Sequence, residues 1–341
     1  MTGIVIHFWE IDNLCLKMKS GFWEESNSIL KEHRYSWNRL LRETKICKST
    51  LRYNKKTFIN IKTLRKIINF LSKIDSNFNF YYIENNRFIE KMKYGKGGFV
   101  ITEPKIPINL LDIGWAKIIG ALLTDGCIQK NGKTYFINKN KLLMDKLIEV
   151  ACETLGYFQP TVKKKRRMDK EWFVVILPRL IGVILIKFAK IKGGNKVKNN
   201  VSIPDFINNL DVNKHRLYLY EFLSWMFSCD GYVSPSNYSI GINFNRDLMD
   251  IEQKDWKNAS SAPQLLKDTI NILRLFNFKI NGPYFIEVKQ RKDNSYTSKW
   301  RFEISGKQSL AIFKNEIGFV LLEKEEKLNS IFEKEAISCL A

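Results

Sequence analysis

Two aspartates are the residues of this sequence best placed to do chemistry, because each ends an apolar run and each is followed by glycine. Asp125 lies in residues 118–126 (IIGALLTDG) and Asp230 in residues 223–231 (LSWMFSCDG). In the first run Ile118, Ile119, Ala121, Leu122 and Leu123 surround the helix instead of striping one side, the pattern of a helix buried on all faces. The spacing predicts that both acids occupy a last helical turn, with Gly126 and Gly231 ending the helices in the left-handed conformation. A carboxylate there faces the negative end of the helix dipole, which costs roughly 0.3–1 kcal/mol unless a cation compensates. One helix ending in Asp-Gly is an ordinary stop signal. Two in one chain point to a metal.

The rest of the composition says what such a pair could act on. Lys and Arg outnumber Asp and Glu by 56 to 35, a net charge of +21, while 45% hydrophobic and 13% aromatic residues specify a packed body. A folded chain with this excess calls for a polyanion, and nucleic acid is the natural one, since each phosphate contact releases counterions. A membrane surface would call for a basic amphipathic helix with a clean apolar face, which the sequence lacks. The greasy stretch 173–189 is broken by Pro178, Arg179 and Lys187 and reads as strand, turn and helix, not as a membrane span. Six scattered cysteines (Cys15, Cys47, Cys127, Cys152, Cys229, Cys339) have no zinc spacing and read as buried thiols in a reducing compartment. His7, His33 and His215 form no cluster, so neither zinc nor imidazole catalysis is expected. The opening residues carry no basic leader or cleavage site. The expectation is a soluble, cytoplasmic monomer, associated with the nucleoid if prokaryotic.

The elements that must position the acids follow in chain order. Residues 1–76 read as a helical N-terminal domain. Within 37–74, Leu40 and Leu41 precede a break near Lys45, Ser49-Thr50-Leu51-Arg52-Tyr53 follows, and Leu64, Ile67, Ile68 and Leu71 share one helical face. This resembles a helix-turn-helix of the phage-repressor type, in which Ser49 would be the N-cap of the recognition helix and Ser49, Thr50, Arg52 and Tyr53 would lie nearest DNA. A plain three-helix domain fits the same pattern. Residues 77–107, with Gly95, Gly97, Gly98, Pro104 and Pro107, read as a linker with room for a small hairpin.

Residues 108–200 and 201–320 read as two copies of an αββαββα unit, an α+β architecture, and 321–341 as a C-terminal helix. The acids lie 105 positions apart (230 − 125), Asp145 matches Asp268 at 123 (268 − 145), Lys163 matches Lys289 at 126 (289 − 163), and Trp172 matches Trp300 at 128 (300 − 172). The jump in offset places an inserted loop at about 247–263. In 300–304 (WRFEI) apolar and charged residues alternate, so one face packs and the other is wet.

This order of elements resembles the LAGLIDADG homing endonucleases in their single-chain form, with two pseudo-symmetric halves. The likeness covers about 104–319 and includes flanks 104–107 (PKIP), 201–207 (VSIPDFI) and 315–319 (NEIGF). It implies a DNA-binding saddle with the two motif helices side by side. Gly120 and Ala121 would allow their close approach, and Trp225, where the family prefers a small residue, would alter the packing. Asp125 and Asp230 would share two or three Mg²⁺ ions, and each acid would serve the cutting of one strand. Lys163 and Lys289 would be catalytic lysines near the scissile phosphates, and Lys163, Lys164, Lys165, Arg166, Lys289, Arg291 and Arg301 would contact double-stranded DNA. The expected function is Mg²⁺-dependent, site-specific double-strand cleavage. A non-cleaving transcription regulator of the same fold and an RNA-splicing maturase acting on structured RNA fit the same features. A self-splicing intein fits less well, because the chain opens Met-Thr and ends Ser-Cys-Leu-Ala.

Overall fold

Antiparallel sheets alternate with helices along the chain, an α+β arrangement, over the residues that the computed structural model describes, 4–167 and 170–338. Cys339 and the last residues of the expected C-terminal helix lie outside them. The N-terminal part runs β1 (Val5–Ile6), β2 (Leu14–Met18), α1 (Ser20–Glu32), α2 (Trp37–Thr44), α3 (Lys48–Lys56), β3 (Ile59–Asn60), α4 (Ile61–Leu71), α5 (Phe80–Asn85), β4 (Ile89–Tyr94) and β5 (Ile101–Thr102). Leu14, Leu16 and Met18 of β2 are buried at the period of two that a half-buried strand shows. Leu64, Ile67, Ile68 and Leu71 of α4 are buried at helical spacing, as the sequence predicts. This part is not purely helical, however, and 77–107 carries the hairpin for which the sequence leaves room, β4 pairing with β5 and also with β2 in a sheet of order β3-β2-β4-β5.

The helix-turn-helix stretch forms two helices joined by Lys45–Cys47. Ser36 caps α2, its hydroxyl accepting from the Arg39 amide. No glycine stands in the turn, and Lys45 itself takes the left-handed conformation (φ 55°, ψ 40°). Buried Ile46, whose amide donates to the Leu41 carbonyl, pins the turn to three residues. The N-cap of α3 is therefore Cys47, and Ser49 lies inside the helix instead of capping it.

The remainder comprises β6 (Ile108–Asn109), which pairs with β1, then α6 (Ile113–Thr124), β7 (Gly126–Ile128), β8 (Thr134–Asn138), α7 (Lys141–Leu155), β9 (Thr161–Arg167), β10 (Lys170–Leu177), α8 (Arg179–Lys187) and α9 (Asp205–Asn208). It continues through α10 (Arg216–Asp230), β11 (Gly231–Ser234), β12 (Ser239–Asp247), α11 (Gln264–Leu275), β13 (Ile280–Gln290), β14 (Tyr296–Ser305), α12 (Lys307–Ile312) and α13 (Leu322–Ser338). The two four-stranded sheets share one order, β7-β8-β10-β9 and β11-β12-β14-β13, with β9 and β13 at the edges. Helix α7 packs on β8 and β10, and α11 on the strands of the second sheet, so each sheet has one face in the core.

The registers revise two of the matches read from sequence. Gly126 lies opposite Phe136 and Phe136 opposite Val175, whereas Gly231 lies opposite Ile242 and Ile242 opposite Phe302. Val175 and Phe302 correspond, so Trp300 corresponds to Phe173, and Trp172 sits on the other face. By the same path Lys163, opposite Val174, corresponds to Tyr284, opposite Arg301, and not to Lys289. A slip of one residue exchanges the faces of a strand, and β13 also carries register shifts that letter matching cannot register.

Among the described residues no helix is long and apolar enough to cross a membrane. The five described cysteines are unpaired. Cys47 is exposed beside the turn before α3, against the expectation of a buried thiol, and the other four are partly buried.

Candidate active site

Helices α6 and α10 pack against each other through the middle of the molecule, and their sequences explain how. A Cβ on Gly120 would stand 2.5 Å from the Phe222 carbonyl oxygen and 3.3 Å from the Trp225 Cβ, so only glycine allows this approach. Trp225 is 3% exposed. The tryptophan therefore does not hold the helices apart: its Cβ meets the hollow left by Gly120 and its ring is buried alongside.

Asp125 caps the C-terminus of α6 and Asp230 is the last residue of α10. The glycines after them are not left-handed. Gly231 is extended (φ −75°, ψ 159°), and the chain passes straight from helix into strand at both places. Glycine is required for a different reason. A Cβ would stand 2.4 Å from the Leu122 Cα at position 126 and 2.5 Å from the Phe227 carbonyl oxygen at position 231.

Two lysines complete the site. Lys196 donates its ammonium to the carbonyls of Leu123 (3.2 Å) and Thr124, at the end of α6. Lys324, in the first turn of α13, donates to the carbonyls of Phe227 (3.1 Å), Ser228 (2.7 Å), Cys229 (3.4 Å) and Gly231 (2.6 Å), around the end of α10. Each supplies the cation that a helix C-terminus carrying an acid requires. Burial pushes both ammonium groups below their usual range, and the charges of Asp125 and Asp230 act in the opposite direction.

The acids themselves are shifted upward. Burial is the main cause at Asp125, opposed by Lys196 and by a 2.6 Å hydrogen bond from the Asn138 side-chain amide. That amide is held in orientation, because its carbonyl oxygen accepts from the Asn140 backbone amide at 2.7 Å. Asp230 is reached by solvent from the cleft but crowded by protein on its other sides. Burial, then the charge of Asp125, pushes its carboxyl up to about 7. Each site of a close acid pair disfavours ionisation of the other. A cavity of about 170 Å³ opens beside them, lined in part by Thr124, Lys196, Asn200, Asp230, Asn243 and Asn245.

The remaining candidate residues lie elsewhere. Lys163, Lys164, Lys165 and Arg166 are exposed on edge strand β9, with Lys164 paired to Glu171 at 2.6 Å. Lys289 is on edge strand β13, paired to Glu287 at 2.9 Å, and Arg291 follows it, 3.6 Å from Asp247. Arg301 lies 3.7 Å from Glu303 on β14. The cations acting on the acid pair are thus Lys196 and Lys324, which the sequence reading missed. They stand 128 positions apart (324 − 196), one more than the 127 by which the registers relate Val175 to Phe302 (302 − 175), and that near-repetition is the signal that could have found them. Ser49, Thr50, Arg52 and Tyr53 are all exposed on α3, with Leu51 and Asn54 turned inward.

Among the described residues no group of three or more His, Cys, Asp and Glu side chains converges as a preformed metal cage. No family model matches the chain, and no curated protein matches it. Among solved structures, it is similar to mesophilic variants of the homing endonuclease I-DmoI at 11% identity and a TM-score of 0.34, over 64% of this chain and 98% of that one. A likeness at that level carries no argument about function.

Proposed function

We propose that the chain is a site-specific double-strand DNA endonuclease of the LAGLIDADG kind, built of two pseudo-symmetric halves and dependent on divalent metal. The observation that carries this reading is the acid pair. Two packed helices end in Asp125 and Asp230, near enough that the charge of Asp125 helps to raise the Asp230 carboxyl, and Asp230 lines a cavity in a chain of net charge +21. Nothing in packing or stability asks for two carboxylates there.

The residues fit Mg²⁺, which takes a few carboxylate oxygens and completes its shell with water and phosphate. Asp125 and Asp230 would hold it, and it would supply Lewis-acid stabilisation of the phosphate oxygens and acidify bound water. Around that centre, Asn138 keeps the Asp125 carboxylate aimed. Lys196 and Lys324, whose charges act on the pair, would add positive charge beside a phosphate bound there, the role expected from sequence for Lys163 and Lys289. The exposed cations of β9 would follow the DNA backbone, and α3 would add contacts through Ser49, Thr50 and Arg52.

The test is incubation of purified protein with a randomised duplex library in Mg²⁺ and in EDTA, beside Asp125→Asn and Asp230→Asn. Sequence-specific cuts lost in EDTA and in both variants are expected. Specific retention without cuts would replace this reading by the non-cleaving regulator, which the exposed basic face of α3 also favours. Retention of structured RNA alone would replace it by the maturase.

A further inference from the structure

The open faces of the two sheets differ in chemistry, although the sheets share one strand order. On the first sheet, the face away from α7 carries Tyr135, Ile137, Val174, Ile176 and Trp172, which the register sets side by side. Ile137 is 38% exposed there. Across the edge of this face stand Lys163 opposite Val174 and Lys165 opposite Trp172, both exposed. On the second sheet, the face away from α11 carries Asn243 opposite Arg301 and Asn245 opposite Lys299. One face is apolar with a basic border. The other carries amides and cations, with Tyr284 opposite Arg301, Glu287 opposite Lys299 and Glu303 two residues beyond Arg301 on the same face.

The basic border and the charge of +21 commit the occupant of the apolar face to a polyanion, and a hydrocarbon surface discriminates between bases in only one way. Apart from the Tyr135 hydroxyl and the Trp172 indole N–H, these side chains neither donate nor accept hydrogen bonds at base edges, and the apolar group that the major groove presents is the thymine 5-methyl. We infer that, in the DNA complex of the proposed function on which this inference rests, the first sheet reads its half-site through thymine methyls around Ile137, Ile176 and Trp172. The second sheet reads the other half-site through hydrogen bonds from Asn243, Asn245, Lys299 and Arg301. Side-chain amides suit adenine, and Lys and Arg suit guanine. The target is asymmetric in kind, with its thymine-dependent half over the first sheet.

Deoxyuridine differs from thymidine by that methyl alone, which makes the test direct. The duplex selected from a randomised library is rebuilt with deoxyuridine for thymidine in one half at a time, and binding is measured with the Asp125→Asn/Asp230→Asn protein so that no cutting intervenes. Loss of roughly three- to fourfold per methyl is expected in one half, with less than twofold in total in the other. Ile137→Asn should abolish part of the sensitivity, while Ile137→Val, which keeps the face apolar and guards against a folding defect, should retain it. A specific duplex indifferent to deoxyuridine, or equally affected in both halves, overturns this inference and leaves the proposed function standing. Failure to retain any specific duplex overturns both.

Discussion

Lys196 and Lys324 perform the same act on two different helices: each delivers its ammonium to the last carbonyls before an acid, Lys196 at Thr124 and Lys324 at Ser228 and Cys229. Replacing either by Met keeps the aliphatic stem and removes the charge. Preorganised cations aimed at developing negative charge contribute about 10²–10³ to a rate when removed singly. Lys196→Met and Lys324→Met should each slow cleavage by about that factor, with duplex affinity changed less than about threefold because neither lysine sits on an outer sheet face. Single-turnover rates beside gel-shift titrations measure both; unchanged rates in the two variants would remove the lysines from the mechanism.

The raised carboxyl of Asp230 has a consequence for stability whose sign is fixed. Its folded value is about 7 against 3.8 for the free group, so between those values the folded chain holds a proton that the unfolded chain has released. That contribution is fully present below about pH 4 and is lost as the pH rises through 7. In EDTA, melting temperature should therefore fall more steeply from pH 5 to pH 8 in the wild type than in Asp230→Asn. At pH 8 the variant should melt a few degrees higher, and Mg²⁺ should narrow the gap by stabilising the ionised pair. A variant that melts lower at pH 8 would contradict the strained-pair account.

How much of this was legible in the sequence depends on whether a feature is local. The buried helices ending at Asp125 and Asp230 are visible because unbroken apolar runs need no partner to be recognised. The strands β1, β3, β5 and β6 are two residues each, too short to show a period, and although Leu14, Leu16 and Met18 of β2 do alternate, its partner strand lies far off in sequence, Leu16 pairing with Met92 (92 − 16 = 76 positions away), which no local pattern reports. In sequence Lys196 is one charge among Lys190, Lys192 and Lys198; its position at the end of α6 depends on where the chain returns 72 residues after Thr124 (196 − 124). Lys163 and Lys289 were matched by letter, and only the register shows that they are not equivalent.

Gly120 is the residue on which the closeness of the helices depends. In Gly120→Ala the new Cβ would lie 2.5 Å from the Phe222 carbonyl oxygen, a backbone atom that moves only if the helices part. Overpacking of this sort costs about 1–3 kcal/mol, and parting the helices also separates the acids. The variant should melt lower and cleave more slowly even at temperatures where it is folded. Gly97→Ala, whose added Cβ meets nothing within 4 Å, serves as the control and should leave both unchanged. Equal behaviour of the two variants would mean that the seam tolerates separation.

The face of α3 makes a separate prediction, because Arg52 and Tyr53 are exposed while Leu51 on the same helix is buried. If this helix lies against the duplex, Arg52→Ala should weaken binding and reduce the slope of log affinity against log salt by about 1, the signature of one lost phosphate contact. Tyr53→Ala, at a side chain 67% exposed, should weaken binding without changing that slope, since it removes area and no charge. Cleavage at saturating DNA should stay within about twofold in both, because α3 holds none of the residues around Asp125 and Asp230. Titrations at several salt concentrations distinguish these outcomes from the alternative, in which α3 faces solvent and neither affinity nor slope responds to either substitution.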